Sequence, residues 1–239
     1  MSQSSHAAPQ QRLRITFAKL GALKYIGHLD LAKTWERILR RAQLKLSYSQ
    51  GFNARPRMQL AAPLSLGHTS EGELLDIWLD TPEPLDGLVE RLNAVSPPGV
   101  PILQIVPVPL QTPSLPTLIE SAEYTLTPRD EPMPELKAKI AVLMSEKRLL
   151  ITRRGVPMDI KPLINRIEAD ELGKISLEMS LSTAGTGRPD ELLALLEVDP
   201  LAMAVHRVRI KLRDVVGVRA DAAIPDFDDS QGDSGEDDE

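Results

Sequence analysis

The chain has 239 residues, 42% of them hydrophobic, enough for one large domain or two small ones, and its 34 Asp and Glu against 28 Lys and Arg give a formal charge of −6. It contains no cysteine, which excludes disulfides, thiol catalysis, cysteine zinc sites and cysteine-ligated iron–sulfur clusters within this chain. No run of about 18 apolar residues occurs, and "MSQSSHAAPQQ" lacks an apolar signal region, so the expectation is a cytoplasmic protein with no membrane contact. "RLRITFAK", residues 12–19, alternates as a strand does, and Leu23 to Ile26 would extend it after a turn at Gly21. In "DLAKTWERILRRA" the apolar residues Leu31, Trp35, Ile38, Leu39 and Ala42 recur at helical spacing, with Asp30 as the expected N-terminal cap. A loop containing Gly51, Asn53 and Pro56 follows, then a short strand in "RMQLAAP" and a clearer one over Glu73 to Asp80. Leu85, Leu88, Val89 and Leu92 repeat at helical spacing, and "VPILQIVPV" from Val100 reads as a strand whose prolines suit a sheet edge.

Residues 109–121 carry three prolines and no helical period, which suits a linker. Beyond it "AEYTLTP" is strand-like, Leu136, Ile140 and Leu143 share a helical face, and "RLLITR" and "KISLEMSLS" are strand candidates. "MDIKPLINRIE" between them fits neither period. "GTGRP" is a turn into a helix, Pro189 suits a first helical turn, and "HRVRIKLRD" closes the pattern as a strand. Two successive βαββαβ patterns predict an α+β protein of tandem ferredoxin-like domains. The expected organisation is a disordered N-terminus over 1–11, a first domain over 12–108, the linker over 109–121, a second domain over 122–215 and a disordered acidic tail over 216–239. Dense like charge and low hydrophobicity in that tail cannot offset the entropy of ordering.

The net charge averages unlike regions. From Asp221 onward there are nine acidic residues and no basic one, whereas residues 1–60 hold eleven Lys and Arg against Asp30 and Glu36, a net of +9. Lys33, Arg37, Arg40 and Arg41 form a stripe opposite the apolar face of the first helix, and Lys24, Lys45, Arg55 and Arg57 flank it. Either this is an ordinary solvated face with Glu36 and Arg40 paired, or it is a groove for phosphate backbones. Tyr25, Tyr48 and Phe52 are the aromatics available to stack on bases, with ordinary packing as the alternative.

His28 stands in the turn "GHLD" and invites two readings. It either braces the helix entry or serves as an acid/base beside Lys24 and Tyr25, a layout that resembles the tandem ferredoxin-like ribonucleases that process CRISPR transcripts. The four histidines are scattered without ligand spacing, so no metal site is expected.

Taken together, His28-Leu29-Asp30, Arg40-Arg41-Ala42, the loop Tyr48 to Arg57, and Ala62-Pro63-Leu64 with Gly67 resemble the DUF2344, or radical-SAM-linked, family over about residues 12–215. In this chain Gly27 stands where serine is usual, and Ala54-Arg55 replaces a Pro-His pair. The resemblance implies a radical SAM protein as partner, encoded beside the family member or fused to it, and a context of RNA metabolism. It also implies that S-adenosylmethionine and an iron–sulfur cluster belong to that partner, with no cofactor in this chain. The leading expectation is a non-catalytic companion that presents tRNA, rRNA or another phosphate-bearing substrate. Its contacts would be Lys24, Lys33, Arg37, Arg40, Arg41, Lys45, Tyr48, Phe52, Arg55 and Arg57, with His28, Asp30, Gly51, Asn53 and Pro56 shaping the turn and loop. The alternatives are a metal-independent endoribonuclease using His28, Tyr25 and Lys24, and a structural module that docks on an acidic protein.

Overall fold

A computed structural model of the chain describes residues 8–50 and 53–214. Residues 1–7, Gly51, Phe52 and the acidic tail, with the expectations placed on them, lie outside the described residues. The fold is mixed α+β, with a large, mostly antiparallel sheet and five α-helices among the described residues.

In the first half, β1 (Gln11–Lys19) is flanked by β3 (Thr69–Leu79) and β4 (Ile102–Val108), and β2 (Met58–Leu60) lies outside β3, every pairing being antiparallel. Alternation decides which face is buried: Leu13, Ile15 and Phe17 of β1 and Leu75, Ile77 and Leu79 of β3 meet α1 (His28–Arg41) through Leu31, Trp35, Ile38 and Leu39. Burying each such side chain contributes about 2 kcal/mol, and Phe17 meets Trp35 edge to face at 4.8 Å between ring centroids. The helix ends in a Schellman motif. Gln43 takes the left-handed conformation at φ 58°, its N–H reaching the Arg40 carbonyl and that of Leu44 the Leu39 carbonyl. A shorter helix, α2 (Leu88–Asn93), completes this layer.

The second half supplies the other strands of the sheet. β5 (Ile119–Pro128) lies between β11 (Met203–Leu212) and β9 (Ile175–Ser182), with β8 (Ile164–Ala169) beyond β9. α4 (Glu135–Ser145) and α5 (Pro189–Leu195) supply Leu136, Ile140, Leu192 and Leu193 to a second core. A two-residue strand β10 (Gly185–Thr186) pairs with the end of β9. The extra segment is a hairpin of β6 (Leu150–Arg153) and β7 (Val156–Asp159), which forms its own two-stranded sheet.

The halves share one sheet. β11 runs parallel to the start of β3, pairing His206 with Thr69 and Arg207 with Ser70, on the edge that β2 occupies further along. Gly72 is required at that junction, because a Cβ there would collide with the Val208 carbonyl oxygen and the Arg209 Cα.

Three local expectations change, and a segment the sequence left open resolves. Residues Gly21–Tyr25 form a 3-10 helix rather than a strand extension. Gly27, not Asp30, is the N-cap of α1: its extended backbone supplies the first accepting carbonyl to Leu31, and Asp30 falls inside the first turn, where its carboxylate still favours the helix dipole. The segment over 158–168 resolves into the end of β7, a 3-10 turn over Lys161–Leu163 and β8. Residues 109–121 hold the four-residue α3 (Leu115–Leu118) and the start of β5. Leu115 and Leu118 are buried there, and the Leu115 N–H donates to the Gln59 side chain at 3.0 Å.

Candidate functional site

The outer face of α1 carries Lys33, Arg37, Arg40 and Arg41, all exposed. Lys33 is engaged by Asp30 one turn earlier, at 3.2 Å. Among the described residues no carboxylate makes an ion pair with Arg37, Arg40, Arg41, Lys45 or Arg55, and the Glu36–Arg40 pair of the solvated-face reading does not form. Arg40 and Arg41 lie in the last turn, where cations complement the exposed carbonyl end of the helix. Beside them Arg40, Gln43, Lys45 and Tyr48 line an open depression of about 520 Å³.

The loop after α1 folds back on itself. Tyr48 bridges Pro56, the Ser49 N–H donates to the Arg55 carbonyl at 2.8 Å, and the Arg55 N–H returns a bond to the Ser49 hydroxyl at 3.0 Å. Tyr48 is half-buried against the first core, so packing holds most of its ring, while Asn53 and Arg55 are exposed. Arg57 lies over the Trp78 ring at 5.4 Å, and Arg12 covers the same ring at 4.7 Å. Because Arg12 and Trp78 alternate with the core residues Leu13 and Ile77, Arg57 belongs to the sheet face away from α1.

At the other end of α1, His28 is the first helical residue and half-buried. Burial lowers its pKa, the Glu73 carboxylate opposes that shift, and the cations Arg207 and Lys19 add to it. Lys24 sits over the Tyr25 ring at 5.1 Å, and Tyr25 is exposed. The candidate residues therefore form two groups separated by the length of α1, about 20 Å for 14 residues. Lys24, Tyr25, His28, Asp30 and Lys33 stand at its entry, Arg40, Arg41, Lys45, Tyr48 and Arg55 at its exit, and Arg37 between.

The structure adds a group that sequence reasoning missed. Arg207 and Glu73, both almost fully buried, make a two-armed ion pair at 2.6 and 2.8 Å. Arg207 also donates to the Pro63 carbonyl at 3.2 Å and the Ala62 carbonyl at 3.4 Å, and it bonds the Tyr124 hydroxyl, whose pKa burial pushes up. Lys19, 1% exposed, donates to the Ile26 carbonyl at 3.0 Å, and burial lowers its pKa. His68 and Asp190 meet at 3.0 Å, a bond that holds the Asp190 carboxyl below its usual range. These groups occupy the seam between the two apolar cores. The signal was present in the strands: the inward series Leu13-Ile15-Phe17, Leu79-Ile77-Leu75 and Met203-Val205 each end in a charge, at Lys19, Glu73 and Arg207. Among the described residues no group of three or more His, Asp or Glu is placed to hold a metal ion.

No curated protein matches the chain. Among solved structures, an unknown protein from Galdieria sulphuraria matches with 10% identity over 84% of this chain and 99% of its own. Its TM-score is 0.24, too slight a likeness to bear on fold or function. The family described as "Uncharacterized protein conserved in bacteria (DUF2344)" matches residues 12–189, a span that contains the helix entry, the basic helix, the loop to Arg57 and Glu73. The chain belongs to the DUF2344 family.

Proposed function

We propose that this protein binds RNA through the basic face of α1 and the loop that follows it, and serves as a companion to a radical SAM enzyme that carries the chemistry. The observation that supports RNA binding is the set of exposed cations, Arg37, Arg40, Arg41, Lys45 and Arg55, with no counter-ion among the described residues. Surface cations left without acids are suited to phosphate oxygens, which they contact without reading sequence. The radical SAM partner, with its S-adenosylmethionine and cluster, rests on family resemblance and on a chain with no cysteine to ligate a cluster. The same proposal treats the halves as ferredoxin-like units. Its support is that in each the fourth strand lies beside the first, and the third between first and second, in one antiparallel order.

The test is RNA affinity of the full chain against salt. Five phosphate contacts on a single strand give a slope of log K against log salt of about −3.5. The Arg37→Glu, Arg40→Glu, Arg41→Glu chain should lose most of that slope and bind at least about tenfold more weakly at low salt. Unchanged affinity would remove the helix face from the proposal.

A second reading, cleavage of RNA by His28, draws support from the lowered pKa that keeps its imidazole neutral and able to accept a proton near pH 7. Labelled RNA incubated with the protein in EDTA separates the two. Cleavage that disappears in His28→Ala would favour the nuclease.

A further inference from the structure

A cleft of about 750 Å³ opens between the two halves, away from the basic face of α1. One wall is the connection from Ala61 to His68, which leads into β3. The opposite wall is the tip of the β6–β7 hairpin together with the segment from Leu181 to Pro189. Tyr124 and Arg207 form part of its lining, and both are fixed by the seam: Arg207 by Glu73, Tyr124 by Arg207. The His68–Asp190 bond ties one wall to the other. The hairpin is held in place by Arg153, which makes a two-armed ion pair with Glu191 at 2.6 and 2.7 Å and donates to the Thr186 carbonyl at 2.8 Å.

Arg207 and Arg153 of the cleft are thus each paired with a carboxylate, and two exposed arginines are in no ion pair. Arg154 and Arg188 both line it and are exposed, and neither makes an ion pair or side-chain hydrogen bond among the described residues, although the charge of Arg188 is felt by the Asp190 carboxylate. Arg154 is also strained. It stands at φ 52°, followed by Gly155 at φ 81°, in the two-residue turn that joins β6 to β7. Such turns favour Asn, Asp or Gly at the first position, so an arginine there is retained at a conformational cost of about 1 kcal/mol. The aliphatic part of the lining comes from Ile119, Val156 and Leu181.

We propose that this cleft binds a small organic anion with an aliphatic body, its phosphate or carboxylate head between Arg154 and Arg188 and its body along Ile119, Val156 and Leu181. Arginine forks suit either head, and the absence of an exposed aromatic wall disfavours a stacked base. Four simple probes separate the parts of the claim: n-hexyl phosphate, hexanoate, hexanol and inorganic phosphate, titrated into the full chain by calorimetry. A saturable Kd of about 1 mM or tighter is expected for hexyl phosphate or hexanoate, and which of the two binds more tightly identifies the head group. Inorganic phosphate and hexanol should each bind at least about tenfold more weakly than that probe. Arg154→Ser with Arg188→Ser should weaken the favoured probe by at least about tenfold, and Val156→Ser should weaken it without affecting inorganic phosphate. Arg40→Ser with Arg41→Ser should leave it unchanged. Arg154 and Arg188 are exposed, so their variants should melt as the parent does; should the double variant fail to fold, Arg188→Ser alone carries the test. The proposal is overturned by the absence of saturation with either probe, by inorganic phosphate or hexanol binding as tightly, or by an affinity that survives loss of the two arginines.

Discussion

Removing the Glu73 carboxylate should destabilise the protein more than removing the arginine that faces it. Glu73 and Arg207 are 2% and 1% exposed, and their two bonds run at 2.8 and 2.6 Å. Breaking a buried pair costs about 3–5 kcal/mol, chiefly because the surviving charge is left desolvated and alone. The two survivors are not equally alone. In Arg207→Met, Glu73 keeps the nearby Lys19 ammonium, whose charge it already feels, so the cost falls near the lower bound, about 3 kcal/mol. In Glu73→Gln, Arg207 retains only the Ala62 and Pro63 carbonyls and Tyr124, while Lys19 becomes a second unopposed cation, which places the cost near the upper bound, about 5 kcal/mol. Glu73→Leu with Arg207→Met removes both charges of the pair; it strands the Ala62 and Pro63 carbonyls and leaves Lys19 without the carboxylate that favours its charge but also without the guanidinium that repels it, so its cost should fall well short of the sum of the two single costs. Urea unfolding followed by the fluorescence of Trp35 and Trp78, with m values compared across the series, measures all three. Equal costs for the two single variants, or additivity in the double, would refute the account of the seam.

Three further expectations follow from local geometry. His28 has a folded pKa below its ordinary value, so as pH falls below about 6.5 the unfolded chain takes up the proton first and stability declines toward the folded pKa. His28→Gln should flatten the urea midpoint over that window and leave it unaltered above pH 7.5 relative to pH 7; a difference between the chains that does not vary with pH contradicts the shift. Gly72→Ala should cost about 3 kcal/mol or more by forcing β11 off β3, read as a lowered melting temperature and faster amide exchange over 203–212; a near-neutral result would mean that the strands are not so close. Arg154→Asn should raise stability by about 1 kcal/mol by relieving the left-handed turn while weakening anion binding in the cleft, and a loss of stability would refute the strain argument.

Much of the fold was legible because its signals are local. Period-2 alternation placed β1, β3, β5, β9 and β11, and the 3.6-residue stripe of Leu31, Trp35, Ile38 and Leu39 placed α1. The strand extension at Leu23 to Ile26 failed because four apolar-rich residues are too few to distinguish a strand from a 3-10 turn. Asp30 misled as a cap because glycine at position 27 accepts the same backbone role with no side-chain signature. The join of the halves was not legible, since the pairing of Thr69 with His206 spans 137 residues and depends on which edge of β3 remains open after β2. The basic stripe on α1 was legible as a face, but its division into an entry group and an exit group needed the helix length and the fold of the loop after it. His68 and Asp190 carried no signal at all. Each is an isolated polar residue until the fold brings a loop of one half to a helix of the other.

The buried charges of the seam also bear on the shape of the cleft. Apolar contact also joins the halves, Ala61 and Leu74 packing with Ile119 and Ile210, but dispersion and burial have no direction and alone would tolerate sliding. A guanidinium fixed by both oxygens of Glu73, by two carbonyls and by Tyr124 has one geometry, and the same arginine lines the cleft. Charge placed at the ends of three inward strand series therefore does more than fill space. It sets the register of β11 against β3, and through Tyr124 and the His68–Asp190 bond it sets the distance between the cleft walls. The same cluster acts electrostatically on His28 at the entry of α1, so the helix that presents the basic face starts from the structure that shapes the cleft. A change of charge in the seam would therefore be felt at both surfaces, whereas a change at Arg40 or Arg41, a helix length away, would be felt at one.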